Sequence, residues 1–306
     1  MVGEALVDIV RQVDGTSAEH PGGSPANVAL GLGRLGHRVD LLTRLGRDGR
    51  GETITRLLQA SAVNVTESSY TDSTTSTATA MIDPAGVATY EFDIDWSLPP
   101  ATATLAGAAG GDATDVAVLH TGSIGAYLQP GGDTVLALVR DAADSVTVTY
   151  DPNARPRLMG EPAATLRWME QIVAHAGLVK VSDEDLLWLT PDRTIDEVAD
   201  AWHAMGPAVV VVTRGPNGAI ARCAAGRVEV PGRTVDVVDT VGAGDSFMSA
   251  LIDHLLGADL LGRDRRQALA DIGLDEVTAM LQHAVEVSAV VCSRPGADPP
   301  WRRELT

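Results

Sequence analysis

Lysine is nearly missing from this 306-residue chain: of 23 basic residues only Lys180 is lysine, and the rest are arginine. A P-loop requires G-x-x-x-x-G-K-[ST], whereas Leu178 and Val179 precede Lys180, so P-loop nucleotide chemistry is excluded. Any phosphate must be handled by arginine, backbone amides, helix N-termini or metal. Positive charge is scarce altogether: 23 basic against 41 acidic residues gives 23 − 41 = −18. No basic stripe exists to neutralise phosphates, which argues against nucleic acid as a partner. Cys223 and Cys292 are too few and too far apart for a disulfide framework or a zinc site. Long apolar runs are missing too; the longest aliphatic block, 209–212, is far short of the roughly 18–20 residues of a membrane span. The opening Met1-Val2-Gly3-Glu4 offers neither a basic leader nor an apolar stretch. A cytoplasmic protein with no membrane or nucleic-acid partner is expected.

What is present is a large apolar fraction, 45%, on a chain long enough for a substantial core. Short β-branched runs at 39–43, 116–121, 146–150, 178–181 and 209–213 alternate with helical patterns at 25–35, 51–60, 134–143, 194–205, 245–256 and 275–292. That alternation predicts an α/β fold with a mainly parallel sheet. Residues 66–98 break it, being rich in Thr, Ser, Tyr and Val with period-2 stretches at 77–82 and 87–92 joined through 83–86. This reads as a hairpin forming a small β lid, the alternative being a plain surface insertion. A lid suits a kinase, because closing it excludes water as a competing acceptor.

Two glycine clusters compete for attention. Gly31-Leu32-Gly33-Arg34-Leu35-Gly36 satisfies G-x-G-x-x-G, but a dinucleotide fingerprint must follow a strand and open a helix. Here Ser24 and Pro25 read as an N-cap and a first helical residue, so these glycines fall late in a helix that Gly36 stops. Gly31 and Gly33 are expected to pack closely against the sheet. The second cluster has the better context. Residues 234–238 read as a strand or hairpin arm, and Phe247, Leu251 and Leu255 mark a helix from Asp245. Small residues at Gly242, Ala243 and Gly244 let backbone N–H groups converge on developing negative charge. Asp245 would stand beside them; an Asp in a first turn is also common simply as a complement to the dipole.

The segment Asp239-Thr-Val-Gly-Ala-Gly-Asp-Ser-Phe247 resembles the C-terminal motif of the ribokinase-like (PfkB) carbohydrate kinases. Gly22-Gly23-Ser-Pro-Ala-Asn27-Val-Ala-Leu-Gly-Leu-Gly-Arg-Leu-Gly36, continuing to Gly46-Arg-Asp48-Gly-Arg-Gly51, resembles the N-terminal one. The resemblance implies a ribokinase-like, Rossmann-type three-layer α/β sandwich over 1–306, with a β lid from 66–98 plus part of 9–21. It implies transfer of the ATP γ-phosphoryl group to a sugar hydroxyl. Asp245 would be the general base, and Gly242, Ala243 and Gly244 the anion hole. Asp8, Gly22, Gly23 and Asn27 match sugar ligands, although a strand-end carboxylate and a plain turn would look alike. Asp151 and Arg155 would lie near sugar and phosphate, where Asp151-Pro152-Asn153 is also an ordinary turn.

Ser182 and Asp185 occupy the place of the family's Asn-x-x-Glu, with Asp185 reaching Mg²⁺ through water or else capping a helix with Ser182. Thr213, Arg214, Gly215 and Gly218 resemble the turn along the nucleotide, and Arg294 and Gly296 the adenine-side loop. Val285 departs from a common Asn there, and Asp239 matches a K⁺ ligand. The surrounding segments look most like fructokinases. An acidic sugar such as ketodeoxygluconate needs a dedicated cation, and 66–96 contains no Arg or Lys. Ribokinase is a further alternative, and two Phe and four Tyr leave little to stack on a nucleoside base. A catalytically silent sugar-binding regulator is the alternative outside enzymes. The lid also suggests a homodimer formed lid to lid. The first family strand is nearly missing here, which would weaken the sheet beside Asp8.

Overall fold

The β-branched runs Thr147–Asp151, Leu178–Ser182 and Val209–Thr213 are buried along nearly their whole length, as strands covered on both faces must be. The computed structural model of the chain describes residues 1–83, 88–111 and 113–305. In it these strands and Val118–Gly122 pair in parallel, and Ala219–Cys223 and Gly226–Val230 extend the sheet antiparallel. Side chains alternate between two cores. Leu178, Val209 and Val211 join helices Ser24–Arg34, Ala243–Gly257 and Leu274–Cys292. Val179, Val210 and Val212 join Gly131–Ala142, Pro162–Val173 and Ile195–Met205. The result is the expected three-layer α/β sandwich.

The sheet continues through a single residue. Val2 bridges Leu42 on one side and Thr121 on the other, linking the parallel pair Val39–Leu41 and Val63–Val65 to the central strands. The Val2 amide donates to the His120 carbonyl at 2.9 Å, and the Leu42 amide to the Met1 carbonyl at 2.9 Å. The shortened first strand expected from the sequence thus still joins both neighbours, through Val2 alone. The chain then turns outward into a four-stranded lid sheet, ordered Ser17–Gly22, Leu6–Arg11, Thr77–Ile82 and Ala88–Asp93. Most of the turn expected at 83–86 lies outside the described residues. Among the described residues, no helix is long and apolar enough to cross a membrane.

Three local expectations change. Residues 234–238 form no strand and are mostly exposed. Gly23, not Ser24, caps the first helix, with φ 103°, and the Ser24 hydroxyl is spent elsewhere. Gly33 packs beside the sheet strand Val63–Val65, where a Cβ would lie 2.9 Å from Val63 Cγ2, but Gly31 packs against a helix instead. A Cβ on Gly31 would meet Ser249 Oγ at 2.5 Å, on the helix that follows the second glycine cluster. One on Gly33 would meet the Ser61 carbonyl oxygen at 1.9 Å.

Candidate active site

The carboxyl ends of the parallel strands are where an open α/β sheet presents a crevice. Register puts Gly122 beside Asp151 and Ser182 beside Thr213 along that edge. Over it lies the start of Ala243–Gly257. Gly242 is its N-cap in the left-handed region, φ 74°, and a Cβ there would collide with Ala297 at 2.6 Å. The Ala243 amide donates to the Thr240 carbonyl at 3.2 Å. Among the described residues no protein acceptor takes the Gly242 or Gly244 amide, so two of the three expected donors are available to an anion.

Asp245 follows in the first turn, 7% exposed. Its Oδ1 accepts from the Ser24 hydroxyl at 2.7 Å and its Oδ2 from the Asn27 side-chain amide at 2.8 Å. Asn153 Nδ2 adds a longer contact to Oδ1 at 3.4 Å. All three donors are neutral, and two come from the helix that Gly23 opens. Asn27, expected as a sugar ligand, therefore also orients the carboxylate.

Asp8 lies on the lid strand opposite His20, at the boundary between lid and core. Its Oδ2 fills the space a Gly22 side chain would need, 2.1 Å from a built Cβ. Packing around Asp8 pushes its carboxyl up, with Arg155 and His20 pulling it back. Beneath, Glu4 is 5% exposed and accepts from the Gly125 amide at 2.8 Å and the Ser24 amide at 3.3 Å. Burial pushes Glu4 up to about 7, against its own amide, the Ser123 and Gly125 hydrogen bonds and the charge of Arg155. Glu4 was not among the candidate residues read from the sequence, although a carboxylate between glycine and alanine was a signal.

Asp151 requires correction. It is fully buried, with Oδ2 accepting from Lys180 Nζ at 2.8 Å and Oδ1 from the Asn153 amide at 3.2 Å, so its carboxylate has no surface open to a ligand. Burial pushes its carboxyl up to about 6 despite the Lys180 charge. Arg155 is exposed and folds back onto the Asn153 side-chain oxygen at 2.7 Å. Arg157 reaches further, with its guanidinium 4.6 Å from the Tyr90 ring centre on the lid.

On the other flank, Ser182 and Asp185 form a full capping box. Asp185 also accepts from the Ala154 amide at 2.9 Å, so each oxygen has one backbone donor and a lone pair left for a metal-bound water. Arg214 bonds Glu229 at 2.7 Å and Arg294 bonds Glu304 at 2.6 Å, so both arginines placed on the nucleotide side are paired within the protein. Thr213 stands at the strand end, where Gly215 and Gly218, at φ 51° and 83°, turn the chain. Asp239 accepts from the Val241 amide at 3.0 Å and the Gly296 amide at 2.8 Å, joining the Gly296 loop to the second glycine cluster. Those amides hold the Asp239 carboxyl below its ordinary range.

The sequence profile of the pfkB family carbohydrate kinases matches residues 1–303. A fructokinase of Rhizobium leguminosarum bv. trifolii is 32% identical over 277 residues, 89% of this chain and 84% of its own. A crystal structure of fructokinase from Vibrio cholerae O395 in a fructose-, ADP- and calcium-bound form aligns with TM-score 0.74 and 27% identity, covering 97% of this chain and 93% of that one. The ATP-bound fructokinase of Xylella fastidiosa shares the fold at TM-score 0.80 and 24% identity, covering 97% and 92%.

Proposed function

The chain belongs to the pfkB family of carbohydrate kinases, phosphotransferases acting on a hydroxyl acceptor, and we propose that it phosphorylates fructose at the 6-hydroxyl using ATP. The observation that carries the chemistry is Asp245 beside the unbonded Gly242 and Gly244 amides. Asp245 takes the proton as the sugar oxygen bonds to the γ-phosphorus and the bond to the departing ADP oxygen breaks. Charge accumulating on the phosphoryl oxygens meets the two amides and the helix dipole. Ser24 and Asn27 keep the carboxylate aimed. The lid, with Asp8 at its base, excludes water from the acceptor's place.

Magnesium, when bound, offsets phosphate charge; Asp185 would hold it through water, and the lone pairs left by its backbone bonds suit that role. The likeness to fructokinases supports fructose, as does the lack of Arg and Lys in 66–96. A second reading, an acidic sugar such as ketodeoxygluconate, draws on Arg157, which brings a cation to the lid from outside that segment.

Coupled ADP release with MgATP should be measured on fructose, ketodeoxygluconate, ribose, tagatose and adenosine. Turnover on fructose above the others is expected. Preference for the acid would move the assignment to the second reading and make Arg157 its carboxylate partner. Silence on every sugar, with sugar-induced thermal stabilisation, would mean a binding protein that has lost transfer.

A further inference from the structure

The only lysine of the chain lies inside it, on the central strand Leu178–Ser182, 4% exposed and paired with the fully buried Asp151. Such a pair contributes little to stability, because desolvating two charges costs about what their attraction returns. Two observations give it another use. Gly244 has helical backbone that any residue adopts, yet a Cβ there would come within 3.0 Å of Lys180 Nζ. The ammonium is therefore packed against the inner side of the turn whose amides face the crevice. It also lies within the field of Asp151, Asp245 and Asp185. Burial disfavours its charged form, but those three carboxylates, Asp151 foremost, outweigh burial and push it up. The arginines around the crevice do not substitute for it, since Arg155, Arg214 and Arg294 are folded onto other partners.

We infer that Lys180 is a positioning residue for phosphoryl transfer: Asp151 pins its ammonium beneath Gly244, where a fixed positive charge reinforces the Gly242 and Gly244 amides. A chain without a P-loop thus places its single lysine behind the backbone that meets the phosphate instead of in contact with it. The charge is preorganised and shielded from solvent, so it acts most strongly as negative charge grows on the phosphoryl oxygens. The inference rests on the phosphotransfer reading above.

The test compares Asp151→Asn with Lys180→Met/Asp151→Asn, which differ only in the residue at position 180, with thermal melts establishing that both fold. Asp151→Asn should lose up to about tenfold in kcat, and the double variant about 10²-fold more, with sugar KM changed by less than about threefold. Equal kcat in the two folded variants would overturn the inference, because the pair would then be only structural. Should Asp151→Asn fail to fold, the double variant is set against the wild type, and kcat within about tenfold of the wild type overturns it. An inactive wild type would bring down the phosphotransfer reading and this inference together, whereas an active wild type with equal variants removes the inference alone.

Discussion

Two aspartates on one helix, Asp245 and Asp253, are buried to the same degree, at 7% and 5% exposure, and are partnered in opposite ways. Asp245, in the first turn, receives hydrogen bonds from a hydroxyl and side-chain amides only. Asp253, about two turns on, receives His37 Nε2 at 2.7 Å, His283 Nε2 at 2.9 Å and the Arg302 guanidinium. Burial would raise the Asp253 carboxyl, but His283, His37 and Arg302 outweigh it and hold it below the ordinary carboxylate range. The difference fits the proposed roles, a proton-accepting carboxylate at Asp245 and a structural one at Asp253. Neutral donors aim a carboxylate without cancelling its charge, whereas a guanidinium and two imidazoles occupy it fully and tie elements together. Asp253 joins the end of the first helix, the helix Leu274–Cys292 and the C-terminal turn.

The comparison can be broken in three places. Asp245→Asn should lower kcat by roughly 10²–10⁴-fold with Tm nearly unchanged, since the amide keeps the shape but takes no proton. Retained turnover in that folded variant would remove Asp245 as the base. Asp253→Asn should instead lower stability to urea by about 1–3 kcal/mol and leave kcat within about threefold. Its pH dependence has a definite sign. A carboxyl whose folded pKa is depressed contributes stability above the unfolded value of 3.8, and that contribution fades as pH falls below it. The stability gap between wild type and Asp253→Asn should therefore shrink in acid; a gap that widens below about pH 4 would contradict the ion-pair account. Ser24→Ala is the mildest change, expected to cost about tenfold in kcat through loss of aim while sparing sugar KM. An unchanged kcat would leave Asn27 as sufficient support.

Much of the framework was legible in the residues. A continuous β-branched run marked Val209–Thr213 as a strand, and Ser24-Pro25 marked where the first helix begins to within one residue. Residues 234–238 misled, because alternating valines look like a strand whether or not a partner edge exists; in the fold no strand lies beside them. Helix Pro162–Val173 was missed, its apolar positions interrupted by Thr165, Arg167 and Glu170. For Arg214 and Arg294 the sequence suggested the nucleotide side but not their protein partners Glu229 and Glu304, which local spacing does not disclose.

The sequence by itself determined the strand and helix alternation, the small-residue turn ending in Asp245 and the family to which both motifs belong, because each depends on residues close together in the chain. Tertiary structure decided what holds Asp245, through Ser24 at a separation of 221 residues, and what stands behind Gly244, through Lys180. It also buried Asp151 fully, against Lys180. Local periodicity fixes which face of an element is apolar, but only packing of the assembled layers decides which distant side chain meets it.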